Sequence, residues 1–349
     1  MLPATAIDLR SDLCSLPTEE MWEAMRSAEL GWATYGEDAS VNRLEAMASE
    51  LLGHEASVWV PTCGMANLVA LSVHAERGQS VVLEAAAHIL TSEAMGIVEI
   101  AGLEPNALWA PDGRLDPPRV EEAFADQPAA VLALENTHTR AGGTVLTPEL
   151  TRALAAVAHR HGARVHLDGA RLANAAAALG VELDELAGTV DSVAMSLNKG
   201  LCAPFGTLLA GSVAFVERAR LRLLQLGGGT VHRAGIAAAA GLVALEQMRE
   251  RLADDHRRAR ELGSGLAELT GLRLDPERVE TNIVLVDVTG AGWEPGGFVD
   301  ALAARGVLAL ERDGSRVRFV THRLVGGEEI ERAVLAAAEV VAEDGTSDG

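Results

Sequence analysis

Short apolar runs recur along the first two thirds of the chain, at Ser57–Thr62, Ser80–Ala85, Ala130–Asn136, Arg164–Leu167, Ser192–Leu197 and Gly206–Ala210. They are continuous rather than alternating, as strands buried on both faces are. Between them apolar positions recur at helical spacing, for instance over Met65–Glu76, Pro148–His161 and Leu172–Leu179. This strand–helix alternation predicts an α/β domain with a mostly parallel central sheet. One long helix is predicted over about Ala234–Leu262, rich in Ala, Leu, Glu and Arg. Beyond it, Leu272–Asp275, Thr281–Val288, Phe298–Arg305, Val307–Leu310 and Val317–Val320 lead to a final helix and predict a small C-terminal α+β domain. The expected division is a large domain over 1–250 and a small one over 251–349, sizes that each allow a core of their own.

Composition narrows the partners. With 48% hydrophobic but only 3% aromatic residues in 349, the core must be packed from Ala, Val and Leu. A net charge of −21 opposes nucleic acid or an anionic membrane as partner. Part of that acidity falls in the tail 343–349, expected to be a frayed end. Asp8, Arg10 and Asp12 interrupt the apolar start, so no secretory leader is expected. No run approaches the roughly 20 apolar residues of a membrane helix. Cys14, Cys63 and Cys202 have neither disulfide-framework nor metal-ligand spacing; no metal is expected, and the cytoplasm is the expected compartment.

One count is sharper than the rest. Of the 29 basic residues, 28 are Arg and one is Lys199. Arg serves in ion pairs and anion clamps as well as Lys or better, but its guanidinium cannot form an imine. A lone Lys therefore marks a position that needs a primary amine. Lys199 follows an apolar strand in Ser196-Leu197-Asn198-Lys199-Gly200, and ligands of open α/β sheets gather at the carboxyl ends of the strands. An amine there suits Schiff-base attachment of pyridoxal 5′-phosphate (PLP).

Asp168, in His166-Leu167-Asp168-Gly169-Ala170-Arg171, also ends an apolar strand. A carboxylate there can keep the PLP ring nitrogen protonated; its plainer role would be to cap the next helix. Arg171 can hold a carboxylate bidentately. Thr62-Cys63-Gly64-Met65 is a small-residue turn between strand and helix. Its backbone N–H groups could receive a phosphate, although an ordinary strand–helix connection would look the same.

These strings resemble the low-specificity L-threonine aldolases, within the β-eliminating lyase group of fold-type I PLP enzymes. The resemblance is carried by Asp8–Asp12, Tyr35–Asp38, Glu135–Gly143, His166–Arg171, Asn198–Gly200, Leu226–Gly229 and Arg318–His322, in order over nearly the whole chain. It implies Lys199 as the Schiff-base lysine, Asp168 as the pyridinium partner and His88 as the histidine stacked on the ring. It implies His138 beside the substrate β-hydroxyl, with Ser11, Arg171 and Arg318 holding the substrate carboxylate. Tyr35 is implied as a further substrate contact, and Thr62, Cys63, Gly64 and Arg171 as cofactor contacts. The implied reaction is retro-aldol cleavage of a β-hydroxy-α-amino acid, of the threonine or allo-threonine type, to glycine and an aldehyde. The implied assembly is a homodimer or homotetramer.

The chain also departs from the family pattern. Thr62-Cys63-Gly64 stands where Ser-Gly-Thr is usual, and Leu13-Cys14 where Thr-Val is usual. Gly227–Gly229 is followed by Thr230-Val231-His232-Arg233, one residue longer than the usual Met-Arg-Gln. The Lys that commonly precedes this loop is absent, so His232 or Arg233 is expected to supply a phosphate donor to a neighbouring subunit. These changes motivate an alternative on the same frame: β-elimination, β-substitution or a specialised biosynthetic aldol reaction. The set Lys199, Asp168, Arg171 and His88 opposes a PLP-free binding protein.

Overall fold

The computed structural model describes residues 6–343, so the acidic tail, expected to fray, lies outside the described residues beyond Glu343. In chain order the strands are β1 (Ile7–Asp8), β2 (Ala56–Val60), β3 (Ser80–Glu84), β4 (Glu104–Leu108), β5 (Val131–Glu135), β6 (Arg164–Asp168), β7 (Ser192–Ser196), β8 (Thr207–Gly211), β9 (Ile283–Asp287), β10 (Val307–Leu308), β11 (Leu310–Glu311) and β12 (Arg316–Val320). Two compact units result: residues 17–141 with 145–250, and the described residues through Leu16 with 142–144 and those from Arg251 onward. Residues up to Leu16, read above as part of the large domain, go with the smaller unit. The reason is pairing: β1 runs parallel to β10, Ile7 opposite Val307 and Asp8 opposite Leu308, and Ile7 and Leu9 join that unit's core.

The larger unit is built on a seven-stranded sheet in the order β2-β8-β7-β6-β5-β3-β4. β7, β6, β5, β3 and β4 pair in parallel, while β8 runs antiparallel to both β2 and β7. The mostly parallel sheet is the one the apolar runs predicted, because every residue of β3, β5, β7 and β8 is buried. β4 escaped prediction. It lies at the sheet edge, carries Pro105 and is largely exposed, and an edge is where a strand tolerates proline.

Local chemistry fixes the helices between the strands. Thr62 starts Cys63–His74 by accepting the Met65 N–H at 3.3 Å. Thr147 caps Pro148–Arg160, whose proline occupies the first turn. Leu172–Leu179 ends on Gly180 at φ +67°, a conformation glycine adopts without strain.

The single helix expected over Ala234–Leu262 is instead two, Gly235–Gln247 and Leu252–Ala267. No Gly or Pro marks the break. The Arg249 Nε donates to the Leu245 carbonyl at 2.8 Å and so satisfies a group the interrupted ladder leaves open. Burial changes there too: the first helix is buried nearly all round within the larger unit, the second along one face within the smaller.

In the smaller unit, β11, β12 and β9 form an antiparallel sheet. Its core gathers Phe298, Leu302, Phe319 and Ala337 around the helices Pro295–Ala304 and Gly327–Ala342. Among the described residues no helix is long and apolar enough to cross a membrane.

Candidate active site

Parallel strands present their carboxyl ends on one edge of the sheet, and here those ends carry the reactive groups. β3, β5 and β6 close on Glu84, Glu135 and Asp168, all buried, with Glu135 in register with Asp168. β7 closes on Ser196, three residues before Lys199. Buried carboxylates persist only when hydrogen-bonded or paired, and each of these is.

Asp168 accepts from the Ala170 N–H at 3.1 Å, from the Cys63 thiol at 3.6 Å and from Asn67 Nδ2 at 3.0 Å. The Cys63 thiol is pushed well up by loss of solvent and by the Asp168 charge, against the opposing pull of the Lys199 ammonium. The electrostatics thus link Cys63, Asp168 and Lys199 in one neighbourhood. Cys63 and Gly64 open the helix Cys63–His74, so the first-turn N–H groups of that helix belong to it as well.

His88 is held from two sides: its backbone N–H donates to Glu135 Oε2 at 2.7 Å, and its ring Nδ1 lies 3.0 Å from Glu93 Oε1. Glu93 raises the imidazole above its ordinary value, and 39% of the side chain stays exposed. One ring nitrogen is thereby oriented while part of the ring remains open. Glu93 was missed in the sequence, where an isolated Glu in the bend between two short helices gives no signal. The donor atoms of His88, Glu93 and Asp168 lie within 4.8 Å of one another; Asn67 Nδ2 joins the two carboxylates, donating to Glu93 Oε1 at 2.9 Å.

His138, expected beside a substrate hydroxyl, is bonded within the protein through both ring nitrogens. The ring is buried, its Nε2 lies 3.0 Å from Glu84 Oε2, and its Nδ1 accepts the Ala141 N–H at 3.2 Å. Both nitrogens are occupied within the protein. Burial lowers its pKa, but Glu135 and Glu84 outweigh that and hold it raised. Gly113, at φ +76°, backs the ring so closely that a Cβ would come within 2.5 Å of His138 Cγ. Glu84 went unnoticed in the sequence, although an acidic residue closing an apolar strand was the available signal.

Arg171 is buried and donates from Nη1 to Thr139 Oγ1 at 3.0 Å. The glycine-rich loop packs on Met65 of the helix Cys63–His74: a Cβ on Gly228 would sit 2.2 Å from Met65 Sδ. His232 and Arg233 beyond it are exposed, and Arg233 adopts φ +66°. Tyr35 is also exposed, edge-on to Trp32 with centroids 4.8 Å apart, and Trp32 in turn meets the His232 ring at 6.2 Å. Ser11 and Arg318 belong to the smaller unit. There Arg318 Nη2 donates to the Arg10 carbonyl at 3.0 Å, beside Ser11, whose hydroxyl accepts the Leu13 N–H at 3.2 Å.

The donor set fits PLP. Lys199 is the chain's only lysine and follows β7, whose neighbour β6 ends on the buried carboxylate of Asp168, which can answer a ring N–H. Thr207 Oγ1, on β8 opposite Ser196 of β7, is a buried hydroxyl with no hydrogen-bond partner among the described residues. Buried hydroxyls are normally bonded, so this one has capacity for a polar ligand.

The comparisons agree with this frame. A model of the β-eliminating lyases matches residues 8–290, and the chain belongs to that family. It is 36% identical over 335 residues to low-specificity L-threonine aldolase 1 of Arabidopsis thaliana, covering 93% of each chain. It is 37% identical over 333 residues to the low specificity L-threonine aldolase of Escherichia coli K12, covering 93% of this chain and 96% of that one. The fold is shared with the solved Leishmania major threonine aldolase at TM-score 0.81 and 20% identity, over 96% of this chain and 99% of that one.

Proposed function

We propose that this chain is a PLP-dependent aldolase that cleaves a β-hydroxy-α-amino acid of the threonine or allo-threonine type to glycine and an aldehyde. The observation that carries the reading is a sole lysine, Lys199, just past the end of β7, with a buried, hydrogen-bonded Asp168 closing the adjacent β6, in a chain 36% identical to a low-specificity L-threonine aldolase. When bound, PLP supplies an electron sink for the pair released from a bond at the substrate Cα.

The protein's own groups then divide the work. Lys199 would offer the primary amine that holds the cofactor. Asp168 would hold a proton at the ring nitrogen. Arg171 is proposed to orient the substrate carboxylate, and Ser11 and Arg318 are proposed for the same anion from the sequence resemblance. With both nitrogens of His138 occupied, His88 is the better base for the β-hydroxyl proton, its ring oriented by Glu93. The turn Thr62–Gly64 is proposed for the phosphate.

A cytoplasmic homodimer or homotetramer is part of this reading. Trp22, Leu30, Trp32 and Tyr35 are large apolar side chains of the larger unit left exposed, which favours a covering surface. His232 or Arg233 is proposed to reach the neighbour's phosphate.

The altered 227–233 loop keeps β-elimination or β-substitution as the second reading. One assay separates them. Glycine and acetaldehyde released from threonine are expected; pyruvate and ammonia from serine or cysteine, with threonine untouched, would replace the aldolase by the second reading.

A further inference from the structure

Behind Asp168, on the side away from its strand end, the larger unit carries a line of polar side chains that the proposed chemistry does not use. Asn67 Nδ2 donates to two carboxylate oxygens, Glu93 Oε1 at 2.9 Å and Asp168 Oδ2 at 3.0 Å. Two anionic acceptors on one nitrogen leave no ambiguity about which end of the amide is which. Asn67 Oδ1 therefore faces His166 Nε2, 3.0 Å away, and that nitrogen must carry the proton. His166 Nδ1 is then the acceptor, from Ser192 Oγ at 2.8 Å. With its proton so used, Ser192 Oγ accepts from His74 Nε2 at 2.7 Å. Every donor and acceptor follows from the one before.

The spacing explains why these residues meet. His166 and Asp168 are two apart on β6 and share a face. Asn67 and His74 are seven apart, two turns, on the helix Cys63–His74. His166 and Ser192 are partners in the β6–β7 register. Burial pulls His166 down to about 4 and His74 to about 3. Both are therefore neutral near pH 7, as one-way N–H donation requires. At the outer end His74 stacks on Phe215, centroids 4.7 Å apart, and lines a surface cavity of about 390 Å³ with Arg164 and Arg218.

The geometry points to a positioning relay: His74, Ser192 and His166 lock the Asn67 amide so that its N–H, and never its oxygen, faces Asp168 and keeps that carboxylate aimed at the ring nitrogen of the cofactor. An unlocked amide could turn its oxygen toward Asp168, placing a partial negative charge against a full one. The inference rests on the PLP reading above and adds four residues that touch neither substrate nor cofactor.

The test uses apoprotein titrated with PLP and with a carbocyclic analogue in which CH replaces the ring nitrogen, following cofactor absorbance and protein fluorescence. His166→Leu removes the donor to Asn67; His166→Gln returns an amide N–H close to the position of Nε2. His166→Leu should lose about tenfold or more in affinity for PLP, the scale of a lost hydrogen bond that supports a charged group, and much less for the analogue. His166→Gln should recover most of the loss. If His166→Leu does not fold by circular dichroism, Ser192→Ala, which frees the imidazole tautomer, should show the same selective loss on a smaller scale. Equal loss for both cofactors, or none for either, overturns the relay. Failure of the unsubstituted protein to take up PLP would instead remove the reading on which it rests.

Discussion

Asp168→Asn changes almost no volume and removes one charge, so its consequences follow from the neighbours. Ala170 N–H at 3.1 Å, the Cys63 thiol at 3.6 Å and Asn67 Nδ2 at 3.0 Å all donate to the carboxylate. Whichever way the new amide turns, its NH2 group meets a donor. A buried polar group left unpaired costs about 1–3 kcal/mol. In a unit the size of the larger one, each kcal/mol lowers Tm by about 2–4 °C. The catalytic loss should be larger. Removing one preorganised electrostatic group from an active site costs about 10²–10³ in kcat, and here the group lost is the one proposed to keep the ring nitrogen protonated. The assay is acetaldehyde release from threonine coupled to NADH oxidation, with thermal unfolding measured alongside. The variant should fold at a lower Tm and lose at least two orders of magnitude in kcat with KM changed far less. Near-normal kcat with the same drop in Tm would refute the reasoning and reduce Asp168 to a buried cap.

Gly113→Ala should be strongly destabilising, because its φ of +76° disfavours any side chain and the added Cβ would press on His138 Cγ at 2.5 Å; an unchanged melting curve would contradict the buried placement of His138. Stability should fall as pH drops from 6.5 toward 4. His166 titrates at about 4 when folded against 6.5 unfolded, so the unfolded chain binds more protons in that window, worth on the order of 3 kcal/mol. His166→Gln should flatten this limb of a Tm-against-pH curve, and an unaltered slope would count against a buried neutral His166. Light scattering should find at least a dimer, and full activity in a monomer would end the shared-site idea. Hybrids of Lys199→Ala with Arg233→Ala protomers should regain activity if Arg233 acts across subunits, and no regain would confine it to its own subunit.

What was legible in the sequence was what depends on local pattern. Six of the seven strands of the central sheet appear as apolar runs because both of its faces are covered, and β4 was hidden because an edge strand holding Pro105 carries no such run. Lys199 and Asp168 announce themselves as polar residues closing or following those runs. The break at Met248–Arg251 was illegible: Arg249 closes the helix with its side chain, where Gly or Pro would have been visible. Asn67 was missed for a related reason. It acts through Glu93 and Asp168, 26 and 101 residues away in sequence, which no local pattern records. His138 was visible as a motif residue, but its enclosure by Glu84, Ala141 and Gly113 required the fold.

The central claim is that Lys199 carries the cofactor of a carbon–carbon lyase, and the chain's composition allows a direct test. Borohydride reduction of the PLP-loaded protein fixes the cofactor to whichever amine holds it, and peptide mapping by mass spectrometry then locates it. Lys199 is the only lysine in 349 residues, so its sole rival is the chain's α-amino group. The account predicts the reduced cofactor on the peptide containing Asn198-Lys199-Gly200, at one per chain, and its absence from that peptide in Lys199→Arg. Cofactor on the α-amino group alone, or no label in a protein that still releases glycine from threonine, would contradict it.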